Sequence, residues 1–229
     1  SGQYHNYCIL ENYMVFPIYS VCKQLIQPKY WLVYGAMVLS TYVLVVSGWD
    51  YQYFLWTQKY LPRPLLLITD TLGYVVPVLV PAVLFGYAWL RRDARYTLLA
   101  QAMITATAVA WVLSTFLKAI SGRESPPHLH QGATQLLADT SANFTIGFST
   151  EQLLGGWPSS HATVLMAMAT TLVLLTPSSW RIRIVAYGIA LSIGVGVSFG
   201  WHWLSEFVAG TLLGVTIGKV VALAYKSKR

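Results

Sequence analysis

Two short segments carry side chains capable of chemistry: Gly156-Trp157-Pro158-Ser159-Ser160-His161 and His202-Trp203-Leu204-Ser205-Glu206. Each sits where an apolar stretch meets a polar one. Ser159 and Ser160 open an apolar helix, where free backbone N–H groups and the helix dipole favour an anion. His161 falls in the first turn of that helix, within reach of the same anion. His202 and Glu206 stand at i and i+4, neighbours on one helix face. A carboxylate there holds one imidazole nitrogen protonated and leaves the other free as nucleophile or base. Lys118 and Arg123 add fixed positive charge upstream. Cations, a helix N-terminus, a nucleophile and an acid together describe phosphoryl transfer, in which the protein's main task is to neutralise and orient the transferring group.

The composition says where this chemistry occurs. Of 229 residues, 55% are hydrophobic and only 10% are charged, against about a quarter charged in soluble domains. The apolar runs approach the ~20 residues needed to cross a bilayer. They lie at Trp31–Gly48, Leu72–Leu90, Thr97–Leu117, Ala162–Thr176, Arg183–Gly200 and Ser205–Tyr225. The expected fold class is an all-α polytopic membrane protein, a six-transmembrane-helix bundle forming a single domain across residues 1–229. Residues 1–30 form an N-terminal cytoplasmic or interfacial segment, within which 10–27 read as a surface helix. The aromatic stretch Tyr51–Trp56 reads as an interfacial belt.

Sorting the fifteen Lys and Arg by loop puts eleven on the side of the two termini and four (Lys59, Arg63, Lys118, Arg123) opposite. The positive-inside rule then places both termini in the cytoplasm of a plasma or inner membrane and both motifs on the outer face. That face also carries Asp50, Asp70, Glu124, Asp139, Glu151 and Glu206. Residues 118–161 form a long extracytoplasmic loop that begins and ends at the candidate site, as functional loops do. The net charge of +7 is spread over short loops, with no basic stripe for nucleic acid. No cleavable signal peptide is expected, and Cys8 and Cys22, both on the cytoplasmic side, imply no disulfide.

Three pieces of sequence resemble the type 2 phosphatidic acid phosphatases, membrane relatives of vanadium haloperoxidases and glucose-6-phosphatase. The family pattern is Lys-x6-Arg-Pro, Pro-Ser-Gly-His and Arg-x5-His-x3-Asp. This chain reads Lys118-x6-Ser125-Pro126, Pro158-Ser159-Ser160-His161 and Gly196-x5-His202-x3-Glu206, with the resemblance running from about Leu72 to the C-terminus. It implies that His202 is the nucleophile, oriented by Glu206, and forms a phosphohistidine. It implies that His161 is the general acid and that Lys118, Ser159 and Ser160 hold phosphate.

The implied activity is removal of phosphate from a lipid phosphate or polyprenyl diphosphate, with a membrane lipid as substrate partner and no cofactor. Transfer of the phosphoryl group to another lipid or sugar needs the same histidines. A third alternative is a scaffold that binds phospholipid without turnover. Two family arginines are absent, at Ser125 and Gly196. A hydrogen bond to a charged group is worth about 1.5–3 kcal/mol, so the loss is substantial. Arg123 is the expected substitute, with His128 and His130 as nearby candidates, while Gly194, Gly196 and Gly200 suit close helix packing. His5, His128 and His130 otherwise read as structural histidines, and Asp139 and Glu151 as solvated loop charges. Zinc at His128-x-His130 with His161 or His202 is disfavoured, since the site has no Cys and no His-Glu-x-x-His helix.

Overall fold

The computed structural model describes residues 17–127, 138–148, 156–177 and 179–227. These form α1 (Ile18–Leu25), a 3₁₀ turn (Pro28–Tyr30), α2 (Trp31–Val46), α3 (Trp49–Tyr60), α4 (Arg63–Arg91), α5 (Ala94–Ser121), α6 (Ser160–Leu175), α7 (Trp180–Val197) and α8 (Leu204–Lys226). Five helical segments are long and apolar enough to cross a membrane: Pro28–Val46, α4, α5, α7 and α8. The sixth apolar segment, α6, has only 16 residues.

Helix α6 is short because it is the centre of the bundle. Thirteen of its residues are buried, and α4, α5, α7 and α8 all pack on it. With no water between them, helices in an apolar solvent associate through close packing rather than the hydrophobic effect. Helix α8 supplies it with Gly210, Gly214 and Gly218 on one face. A Cβ at each would overlap backbone of α6 or its cap, namely the carbonyl oxygens of Ser159, Thr163 and Ala167. The backbones of α6 and α8 therefore touch directly. Thr171 extends the contact, donating from Oγ1 to Gly218 O at 3.3 Å.

Helix α4 begins about two turns earlier than the apolar run suggests. Pro62 at its N-cap and Pro64 in its first turn start it in a permitted position, so Thr69 and Asp70 become helical. Pro77 and Pro81 lie inside α4, where each lacks the amide that would bond to the preceding turn. The turn to α5 is closed by Arg92 in the left-handed region and by Asp93, whose Oδ1 accepts from Arg95 N at 2.8 Å.

The aromatic stretch after α2 is not simply an interfacial belt. Gly48, at φ +74°, turns the chain, and α3 buries Asp50, Phe54 and Thr57. Helix α3 straps the turn between α7 and α8. Tyr53 Oη and Ser198 Oγ are 2.8 Å apart, and Thr57 Oγ1 and Gln58 Nε2 both donate to Phe199 O.

The described part of the long loop folds back over the end of α5. Residues Arg123 and Phe144 form an isolated antiparallel bridge, Glu124 N donates to Asn143 O at 3.0 Å and Gly147 N to Ile120 O at 2.9 Å. Of the expected surface helix over 10–27, residues 18–25 are helical, with Val21 and Leu25 buried, while 10–16 lie outside the described residues, as do His5 and Cys8. Cys22 is a free, exposed thiol.

Gly214→Val places a branched side chain against the Thr163 carbonyl. The variant is expected to lose about 1–3 kcal/mol of stability through overpacking, read as a lowered thermal unfolding midpoint in detergent micelles.

Candidate active site

The ends of α4, α5, α6 and α8 converge on one region, and buried charge holds it together. The amide of Ser205, in the first turn of α8, donates to Asp50 Oδ1 at 2.8 Å, and its hydroxyl bonds Asp50 Oδ2. Helix α8 has no side-chain cap of its own. Asp50, reaching over from α3, supplies one: an acceptor for a free N–H and a negative charge at the positive end of the dipole.

Arg123 links Asp50 to Ser205 and Glu206 in the first turn of α8. Its Nη2 donates to Asp50 Oδ2 at 2.7 Å and to Ser141 O at 2.8 Å, its Nε to Ser141 O at 3.1 Å and its Nη1 to Ser205 Oγ at 2.7 Å. Nη1 also lies 3.5 Å from Glu206 Oε1. The side chains of Arg123, Asp50 and Glu206 are all fully buried. The arginine expected to substitute for a missing phosphate-binding arginine is thus already engaged by buried partners within the protein. Its guanidinium faces Asp50, Ser141, Ser205 and Glu206.

Glu206 uses its other oxygen for His202: Oε2 lies 2.7 Å from His202 Nδ1. The i, i+4 spacing brings the two together although His202 precedes the first residue of α8. Trp203, between them, is anchored by its indole N–H on Glu124 O at 2.8 Å. Burial pushes the His202 imidazole below its ordinary range. The Glu206 hydrogen bond raises it again, and the positive charges of Lys118 and Arg123 work in the burial direction, so the net shift is downward. His202 is therefore neutral at neutral pH, the form a nucleophile needs.

The Pro-Ser-Ser-His segment is tied to the same helix. Ser159 N donates to Glu206 O at 3.1 Å, the Trp157–Pro158 peptide is cis, and Ser159 Oγ caps α6 by accepting from Ala162 N at 3.5 Å. Ser160 Oγ accepts from Ser114 Oγ at 3.0 Å. The His161 ring stands opposite His202, their centroids 6.2 Å apart and the rings inclined at 62°. One phosphoryl group between them is within reach of both. Neither His161 nitrogen has a hydrogen-bond partner.

A groove of about 530 Å³ runs from this region between α4, α5 and α6. Lys118, Ser160 and His161 form its polar end, and Pro77, Pro81, Ile104 and Trp111 line its length. From Lys118 to Ile104 the α5 wall spans roughly 20 Å at the helical rise.

The two positions of the missing family arginines have other work. Ser125 Oγ accepts from Gly156 N at 3.2 Å, fixing the chain that enters the Pro-Ser-Ser-His turn. A Cβ at Gly196 would collide with the Thr69 side chain, so helix α4 fills the space an arginine needs. Among residues expected at the site, Lys118, Ser160, His161, His202 and Glu206 come together, with Ser159 turned to its capping role. His128, His130 and Glu151 lie outside the described residues. Asp139 is a loop acceptor for Ser141 N at 2.9 Å. No group of three or more His, Cys, Asp or Glu suited to a metal occurs among the described residues.

The sequence did not single out Asp50, Asp70, Tyr74, Ser114 or Ser205. For Asp70 a signal existed: it is the sole acid in the apolar run of α4, and an acid in such a run is a functional candidate by default.

The family model of the PAP2 superfamily matches residues 96–229. The fold is similar to that of the transmembrane PAP2-type phosphatidylglycerolphosphate phosphatase from Bacillus subtilis, at a TM-score of 0.57 and 16% sequence identity, covering 88% of this chain and 98% of that one. No curated protein matches the chain. The chain belongs to the PAP2 superfamily and is a multi-pass helical membrane protein.

Two outcomes check this site. Arg123→Gln leaves Asp50 buried without its ion partner and is expected to destabilise the protein by about 3–5 kcal/mol, measured by chemical or thermal unfolding. Because the His202 imidazole is depressed, activity is held above its pKa and lost as pH falls through it. The acid limb of kcat/KM in the wild type therefore lies below the ordinary imidazole value of 6.5. Glu206→Gln removes the raising interaction, so the limb moves to still lower pH while kcat falls about 10²–10⁴-fold, read from matched pH–rate profiles on one substrate.

Proposed function

We propose that this member of the PAP2 superfamily is an integral membrane lipid phosphatase that works through a phosphohistidine on His202. The observation that carries the reading is an apolar groove, as long as several turns of helix, ending at Lys118, Ser160 and His161 beside the His202–Glu206 pair. An acyl or polyprenyl chain suits the groove and a phosphate suits its polar end.

In the proposed sequence, Nε2 of neutral His202 attacks phosphorus as the bond to the leaving oxygen breaks. Glu206 holds the Nδ1 proton and stabilises the cationic ring that results. Lys118, the Ser160 hydroxyl and the amides at the start of α6 take up the phosphate charge. His161 gives a proton to the leaving oxygen. Water then attacks the phosphohistidine, His161 accepts the water's proton, and phosphate leaves with the enzyme restored.

Charge asymmetry supports placing the site on the extracytoplasmic face of a plasma or inner membrane. The arginines around the α4–α5 turn and those in the first turn of α7 lie at the end of the helices opposite Lys118 and His161. The bilayer is the partner this reading requires.

Purified protein is expected to release inorganic phosphate from at least one member of a panel of lipid phosphates and polyprenyl diphosphates, and to form an acid-labile phosphoprotein. His202→Ala abolishes both. Undiminished turnover in His202→Ala overturns the reading. Lipid binding without turnover by the wild type indicates the non-catalytic alternative, and labelled phosphate recovered on an added lipid or sugar acceptor indicates transfer.

A further inference from the structure

The environment of His161 is built from one face of α4. Asp70, Gly73 and Tyr74 stand at i, i+3 and i+4 on that helix and all meet the His161 ring. Asp70 Oδ1 lies 3.6 Å from His161 Nε2. The Tyr74 ring packs edge-on at 4.6 Å between centroids, with an interplanar angle of 76°. At Gly73 the ring comes so close that a Cβ would overlap its Cδ2 atom. One turn earlier, Gly196 of α7 admits Thr69 by the same device. Two glycines, on two helices, thus bring α4 against the site, and the charged group this approach delivers is a carboxylate.

We propose that Asp70 is a positioning residue for His161, forming with it a second histidine–carboxylate pair that faces His202–Glu206 across the phosphate site. The inference rests on the reading of His161 as the general acid. The two pairs are mirror arrangements in their chemistry. Glu206 holds His202 through Nδ1, whereas Asp70 faces His161 at Nε2 and leaves Nδ1 as the proton donor.

An acid must carry its proton before the leaving group departs. The Asp70 carboxylate, 3.6 Å from Nε2, is the group beside the ring that favours the imidazolium. At 3.6 Å the pair is a few tenths of an ångström beyond a hydrogen bond, a gap of the kind that closes when substrate binds. The proton count balances. The imidazolium gives one proton to the leaving oxygen, the ring remains as neutral imidazole beside Asp70, and the hydrolytic water returns one proton to it. Asp70 itself stays a carboxylate throughout. With a side chain 27% exposed, it is reached by solvent entering the groove. Tyr74, the other α4 side chain packed on the ring, brings no charge.

The test compares two substrates that differ in their need for an acid. A short-chain alkyl lipid phosphate must have its leaving oxygen protonated, and p-nitrophenyl phosphate departs as a stable phenolate. Asp70→Asn is expected to lower kcat on the lipid phosphate on the order of 10²-fold with KM little changed. The nitrophenyl ester is expected to lose less than about threefold. His161→Ala should show the same selectivity, larger in size, and Asp70→Glu should keep the wild-type ratio between the two substrates.

Equal losses on both substrates for Asp70→Asn, with His161→Ala still selective, overturn the role of Asp70 alone. Equal losses for His161→Ala overturn the acid role of His161 and with it the foundation of the inference. Should Asp70→Asn fail to fold, Asp70→Ala and Asp70→Ser take its place under the same criterion: a loss confined to the lipid phosphate supports the pairing, and equal losses on both substrates, or none on either, overturn it.

Discussion

The buried contact between Asp50 and Arg123 organises the active end of this protein. Neither charge has water to solvate it, and an isolated charge in so apolar a place costs several kcal/mol. Each is therefore committed to the other, and the secondary bonds follow from that commitment. Asp50 caps α8 through Ser205, Arg123 grips the returning loop at Ser141 O, and its remaining edge faces Glu206. The helix that carries Glu206 is thus fixed at its first turn by a residue from α3 and another from beyond α5. The 2.7 Å bond from Glu206 to His202 inherits its geometry from that frame. Such outer partners commonly set the orientation and basicity of a reactive imidazole.

The second constraint is backbone contact. Helix α6 is too short and too enclosed to be placed by lipid, so its depth and rotation come from α8 through Gly210, Gly214 and Gly218. Because Ser159 N also bonds Glu206 O, the helix that carries His161 and the helix that follows His202 are registered to each other at the active end. The 6.2 Å separation of the two rings is the product of these contacts, not of any bond between the histidines. A shift of one turn along the glycine face moves His161 by about 5.4 Å and separates the pair.

Much of this end was legible as sequence because its logic is local. His202 and Glu206 meet by helical periodicity, Ser159 and Ser160 open a helix by their place before an apolar run, and the apolar segments announce membrane helices. What was not legible depends on long-range approach. Asp50 looked like one of several outer-face acids because its partners are 73 and 155 positions away. Arg123 looked like a phosphate ligand because sequence shows its charge and its distance from Lys118, but not the two acids that consume it. The aromatic residues of α3 looked interfacial because aromatic belts and buried strap helices share a composition. Gly196 suited tight packing, and only the structure shows that the neighbour admitted is Thr69 and that Asp70 follows it.

On the proposed reading of the site as a lipid phosphatase centre, its charge balance bears on how it would work without the two family arginines. Arg123 is offset by Asp50, leaving Lys118 and the α6 N-terminus against Glu206 and Asp70. A free phosphate dianion in solution gains little from such a site. A lipid phosphate meets it differently. Its tail leaves bilayer for an apolar groove, an exchange between like environments that yields almost no hydrophobic free energy. The membrane instead supplies confinement, holding the phosphate at the depth of Lys118 and at a high effective concentration. Strong headgroup binding is then unnecessary for occupancy. It is also costly for turnover, since binding shared by ground state and transition state does not raise kcat. On that reading, a site poor in fixed cations but provided with two histidines would place its interactions where charge moves during the reaction. It leaves the released phosphate, which has no tail to hold it at the membrane, weakly held and quick to depart.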